Sequence, residues 1–202
     1  MWAVNQLCRK AHEPTRRDSK ALNRLLRYLS RTRSKVLLLP ARSLEVTAYI
    51  DASFATNSDK KSTTGAVILV GGAVVWAKSG KQGIITKSSF EAELVALSDM
   101  ASMVVWVNLF MNDIGFSTEA PMIYQDNESA MKVARKGFSN NVVTKHIDVR
   151  KLWIREFLEE KKLRMEFRNT HEMVADGFTK PLVGKDFQKF AESLNLIEKS
   201  EV

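Results

Sequence analysis

The chain has 202 residues, a net charge of +8 and a single cysteine. That length suits one ordinary domain plus an arm or small subdomain and excludes two large domains; lone Cys8 excludes an internal disulfide and a cysteine-rich zinc site. No run approaches the roughly 20 apolar residues that span a bilayer, and the N-terminus lacks the apolar core of a signal peptide, so no membrane partner and an intracellular location, cytoplasmic or nuclear, are expected.

Residues 1–35 hold ten Lys/Arg and two acids, and the remainder holds 21 of each, so the whole net charge sits in the N-terminal sixth. Such a segment is an electrostatic handle for a polyanion such as RNA, or simply a solvated helix face. From Arg17 to Arg33, Leu22, Leu25, Leu26 and Leu29 recur at helical spacing with Arg24, Arg27 and Arg31 between them. One face is expected to pack and the other to be basic. Pro40 breaks the pattern, which divides the chain into a basic helical arm over 1–43, a main domain over 44–182 and a C-terminal helical extension over 183–202.

At Leu44 the period changes to two: Val46, Ala48 and Ile50 share one face of a strand that ends at Asp51. Two further apolar runs, Thr64–Val70 and Ala73–Ala77, meet across Gly71-Gly72, a dipeptide that supplies the positive φ values of a tight hairpin. A long helical pattern runs from about Ser89 past Trp106. Met122–Gln125 is too short for a helix and reads as a strand ending at Asp126. Helices over Asn127–Lys136 and Asp148–Lys161, a strand over Leu163–Phe167, a helix starting within Met173–Phe178 and a last one over Phe187–Leu196 complete the pattern. The order βββ, α, β, α, α, β, α predicts an α/β fold, a mixed five-stranded sheet flanked by helices.

Four acids stand where acids need a reason. Asp51 closes an apolar strand, where a carboxylate is costly unless paired or metal-bound, although a turn residue fits equally. Ser88 and Glu91 have the spacing of a capping box, which accounts for Glu91. Glu93 has Phe90, Ala96, Leu97 and Met100 as its helical neighbours, an apolar face that leaves the charge unexplained. Asp126 ends a strand before a helix and reads equally as an N-cap, and Asp176 lies in a helical first turn favoured by the dipole. Together, carboxylates at strand ends and on apposed helices repel one another unless cations neutralise them. Oxygen-only ligands point to Mg²⁺ or Mn²⁺, as a pair of ions about 3.5 to 4 Å apart, and no phosphate loop or serine elbow offers another chemistry.

Six segments, in order, resemble the ribonuclease H signatures of copia-type LTR retrotransposon polyproteins. They are Tyr49-Ile50-Asp51-Ala52-Ser53-Phe54-Ala55, Lys61-Ser62-Thr63-Thr64-Gly65, Ser88-Ser89-Phe90-Glu91-Ala92-Glu93-Leu94, Asp126-Asn127-Glu128-Ser129-Ala130, Thr144-Lys145-His146-Ile147-Asp148 and Ala175-Asp176-Gly177-Phe178-Thr179-Lys180-Pro181-Leu182. The arm is similar to that family's segment joining reverse transcriptase to ribonuclease H, through Ala3-Val4-Asn5-Gln6-Leu7 and Leu25-Leu26-Arg27-Tyr28-Leu29.

The resemblance implies a ribonuclease H fold and a metal site built from Asp51, Glu93, Asp126 and Asp176. It implies hydrolysis of the RNA strand of RNA:DNA hybrids, beside the reverse transcriptase domain of one polyprotein. His171 is a candidate for product release or proton transfer, against a surface loop histidine. Ser53 and Asn127 adjoin the acids and are candidates for RNA 2′-hydroxyls, or caps. Lys145 and His146 are candidates for the hybrid backbone, or His146 for orienting the next helix, and Lys60, Lys61, Lys78, Lys81 and Lys87 for a phosphate track, or a solvated edge. The competing expectation is a domesticated fragment with a structural or RNA-binding role in a ribonucleoprotein, to which Met1 at the joining segment lends weight.

Overall fold

Alternation carries the centre of the fold. In a computed structural model, which describes residues 1–40, 43–136 and 145–199 with the side chains at 136 and 145–148 excepted, Val46–Ser53 forms strand β2. Val46, Ala48 and Ile50 are buried on one face of it, as the two-residue period requires. β3 (Thr63–Val70) and β4 (Ala73–Lys81) follow as an antiparallel hairpin, with Gly71 at φ 58° and Gly72 at φ 87° turning the chain. β5 (Met122–Gln125) and β6 (Arg164–Phe167) run parallel to β2, completing a mixed sheet of order β4-β3-β2-β5-β6. This is the five-stranded sheet the sequence predicts.

Two layers cover the sheet. α3 (Ser89–Asp113) crosses one face and buries Leu94, Leu97, Ala101 and Val104 against Ala48, Ile50, Ala66 and Ile68, with α4 (Glu128–Lys136) and α5 (Lys145–Glu159) beside it. Among the described residues α3 is long and apolar enough to cross a membrane by length and composition, which amends the expectation from apolar runs. Its N-terminal two thirds supply core residues up to Val104 and Val107, while Trp106, Leu109 and Phe110 near its C-terminal end are exposed.

On the opposite face, α6 (Asp176–Thr179) and α7 (Gly184–Ser193) bring Phe178 and Phe190 onto Val67 and Leu69. The helix expected to start within Met173–Phe178 is the single turn of α6, which begins at Asp176 after a 3₁₀ turn at Thr170–Glu172. The last predicted helix also ends early. Asn195, at φ 57°, terminates it and donates its side-chain amide to the Gly72 carbonyl (3.0 Å), and Leu196–Glu198 continues as strand β7.

The N-terminal segment is more tightly docked than an arm. α1 (Trp2–Cys8) lies against the end of β4, where Asn5 Nδ2 donates to the Ser79 carbonyl (2.9 Å), and Arg9 binds Asn57 of the β2–β3 loop. β1 (Lys35–Leu37) pairs antiparallel with β7, joining the predicted arm to the predicted C-terminal extension, with a Lys35–Glu198 ion pair at 3.3 Å. α2 (Arg16–Arg31) departs from the amphipathic expectation. Leu22, Leu26 and Leu29 are exposed; of the leucines and the tyrosine only Leu25 and Tyr28 are half-buried, Tyr28 meeting the edge of Phe187. A Thr15–Asp18 capping box supports this helix locally, so its formation does not require a packed face.

Candidate metal centre

The C-terminal ends of the adjacent parallel strands β2 and β5 carry Asp51 and Asp126 side by side, and the first turns of α3 deliver Glu93 over them. One carboxylate oxygen from each of Asp51, Glu93 and Asp126 lies within 4.8 Å of the others. Asp51 and Glu93 are 3% and 5% exposed, so this is a set of buried like charges. Burial, opposed by Lys180 and a Thr179 hydrogen bond but reinforced by Asp176 and Asp126, pushes the Asp51 carboxyl up to about 6. Burial, then the Asp51 and Asp126 charges, raise Glu93 well above the usual carboxylate range. A purely oxygen, mutually repelling donor set is what a hard divalent cation neutralises, so the residues present fit such an ion.

The local structure explains why these acids are free for that role. Ser88 caps α3 by accepting from the Glu91 N–H (3.2 Å), while the Glu91 carboxylate accepts from the Lys87 N–H (2.7 Å). Glu91 thus serves the helix start, one residue off the reciprocal box the sequence suggests. Asn127 settles the similar question at β5: its side-chain oxygen accepts the Ala130 N–H (3.0 Å), so the cap of α4 is Asn127 and Asp126 is released toward the acids.

Asp176 stands apart from this cluster of three. Its carboxylate accepts from the Lys180 ammonium (2.8 Å), which also lies 4.0 Å from Asp51. Thr179, one residue earlier, donates its hydroxyl to Asp51 and approaches the Asp176 carbonyl at 3.2 Å. α6 can sit close enough for this because Gly65 is the register partner of Asp51: a Cβ there would meet the Thr179 methyl at 2.5 Å and Phe178 Cβ at 2.9 Å.

Four positioning side chains escaped the sequence reading. Gln125 is fully buried; its Nε2 donates to Glu93 (3.3 Å) and its Oε1 accepts the N–H groups of Asp126 (2.8 Å) and Asn127 (3.2 Å), locking two acids together. Thr170 donates to Asp126 at 2.8 Å. Thr179 and Lys180 were within a quoted motif, and the available signal was a polar pair beside an acid on a one-turn helix.

The remaining candidates are dispersed. His171 is exposed on the 3₁₀ turn next to Thr170, its N–H held by Asn169. Ser53 ends β2 opposite Thr63. Lys60 is exposed in the β2–β3 loop, whereas Lys61 donates to the Gly83 carbonyl (2.8 Å) and nearby Lys81 pairs with Asp59 (2.7 Å), so part of the predicted phosphate track is already engaged. Lys145 and His146 begin α5, and their side chains lie outside the described residues.

Comparison with known proteins follows the same lines. The chain is 32% identical over 198 residues to the retrovirus-related Pol polyprotein from transposon RE1 of Arabidopsis thaliana, covering 96% of this chain and 13% of that protein. It is 30% identical over 196 residues to the corresponding polyprotein from transposon TNT 1-94 of Nicotiana tabacum, covering 96% of this chain and 15% of that protein. The chain therefore spans only about a seventh of the length of these curated relatives. No family model matches. Among solved structures, an RNase H1 isolated from compost superposes with a TM-score of 0.51 at 16% identity, covering 67% of this chain and 92% of that one, a likeness of fold.

Proposed function

Since the chain belongs with the ribonuclease H region of copia-type, retrovirus-related Pol polyproteins, we propose that it hydrolyses the RNA strand of RNA:DNA hybrids as one part of such a polyprotein. The observation that carries this reading is the convergence of Asp51, Glu93 and Asp126 from three separate elements at the strand ends of a ribonuclease H fold.

In this reading Asp51, Glu93 and Asp126 hold Mg²⁺ or Mn²⁺, and Asp176 completes the ligand set. A divalent ion held by these residues would activate water for attack and neutralise charge on the phosphate. The protein's own groups arrange the site. Gln125 keeps Glu93 and Asp126 at fixed separation, and Thr179 orients the inner carboxylate of Asp51. Asp126 is restrained by Thr170. His171, exposed on the turn that holds Thr170, is free to reach a departing strand. In the same reading Ser53, Lys60 and Asn127 are assigned to contacts with the nucleic acid. The solvent-facing Lys20, Arg24, Arg27 and Arg31 of α2 supply sequence-independent attraction for phosphates. The reverse transcriptase part of the polyprotein is the expected neighbour.

The test is cleavage of a labelled RNA:DNA hybrid with Mg²⁺ or Mn²⁺, beside single-stranded RNA, duplex DNA and the Asp126→Asn variant. Hybrid-specific cutting that drops at least a hundredfold in the variant is expected. Tight hybrid or RNA binding without any cutting by the unmodified chain would favour a structural role in a ribonucleoprotein instead.

A further inference from the structure

The four acids of the proposed cation site are unequally neutralised. Asp51, Glu93 and Asp126 face one another, while Asp176 is drawn 2.8 Å from the ammonium of Lys180. That ammonium also stands 4.0 Å from Asp51, whose side chain is only 4% exposed. It reaches inward from a residue that is itself 42% exposed at the side chain. The backbone fixes its starting point: Lys180 caps α6, with its N–H on the Asp176 carbonyl (2.9 Å). A cation placed between Asp51 and Asp176 would therefore meet a positive charge already tethered there.

Resting on the cation reading above, we propose that Lys180 is a built-in counter-ion that holds the Asp51–Asp176 side of the site against a second divalent ion until nucleic acid draws its ammonium away. An ammonium has three donors and no lone pair, so it neutralises carboxylates but cannot ligate a metal or activate water. An ion and an ammonium competing for the same two carboxylates repel strongly at that separation. The free protein accordingly takes one ion among Asp51, Glu93 and Asp126, and the second site opens only when Lys180 leaves. Its flexible four-carbon stem and exposed flank permit that movement. A backbone phosphate offers the departing ammonium an equivalent partner. Lys180 is thus a positioning residue that makes assembly of the complete site depend on substrate.

The proposal is tested by Mn²⁺ binding to the intact chain without nucleic acid, followed by calorimetry and by the electron paramagnetic resonance of free Mn²⁺. The unmodified protein is expected to bind one ion with a weak second phase. Lys180→Met and Lys180→Gln, two neutral variants of different polarity, should each tighten the second phase by about tenfold or more, and Lys180→Arg should restore the original pattern. A merely structural lysine would lower the melting temperature of the neutral variants without altering the number or affinity of bound ions. Isotherms identical to the unmodified protein in both neutral variants would overturn the role of Lys180 and leave the cation site standing. Absence of Mn²⁺ binding in every form, the unmodified chain included, would remove both.

Discussion

Asp51 and Glu93 are held in the fold at the cost of their own ionisation, and this gives the cation-free protein an unusual pH dependence. Both groups are raised above their unfolded values, Asp51 to about 6. The protonated forms therefore favour the folded state, and the benefit is complete below the unfolded carboxylate range. It is lost as pH rises through the folded value. In chelator, the melting temperature should fall between about pH 4 and pH 7, with Asp51 contributing about 3 kcal/mol. Mg²⁺ or Mn²⁺ should cancel the fall near neutrality. Asp51→Asn should abolish cleavage and flatten the profile measured by thermal denaturation; an unchanged slope would place the destabilisation elsewhere. Some of this was legible from residues alone. Glu93 betrayed itself by its apolar helical neighbours, whereas Asp126 and Asn127 were equivalent caps on paper until the Ala130 N–H selected one of them. Gln125 gave no signal of its contact with Glu93, which lies 32 residues away in the chain.

At the scale of elements, the site depends on how closely a one-turn helix can approach a strand. Gly65→Ala would force Thr179 and Phe178 away from β3, since the new methyl would fall at 2.5 and 2.9 Å from them. A loss of about 1 to 3 kcal/mol in stability is expected. Because Thr179 and Lys180 ride on the same turn, cleavage should fall further than stability accounts for. Denaturant unfolding compared with turnover of the folded fraction separates the two. The hairpin and α3 were readable because their signals are local: alternation, two adjacent glycines, a serine cap and sustained apolar periodicity. α6 and β7 were not. A four-residue helix and a three-residue strand carry too few positions for any period, and partners distant in sequence define them.

For the whole molecule, charge and docking of the N-terminal segment must be separated. Removing residues 1–35 would weaken nucleic-acid binding, yet it would also strip α1 from β4 and remove Lys35 from the β1–β7 ribbon. The cleaner variant replaces Arg24, Arg27 and Arg31 with Gln, since all three are exposed. Its melting temperature should stay within a degree or two of the unmodified protein. The salt dependence of hybrid binding should become shallower by about 2 to 3 in log–log slope if each arginine meets a phosphate. An unaltered slope would take α2 out of the binding surface.

The β1–β7 ribbon also bears on the order of assembly. Ser34 and Glu198, which meet in it at 3.0 Å, are 164 residues apart, close to the full span of the chain. A ribosome delivers its product from the N-terminus at roughly 5 to 20 residues per second. For several seconds after the sheet strands have emerged, β1 has no mate, and the leading helices lack their second tether. The ribbon is therefore a late latch. Its closure requires that translation has passed residue 198, so this tether of the N-terminal segment is the last that can form.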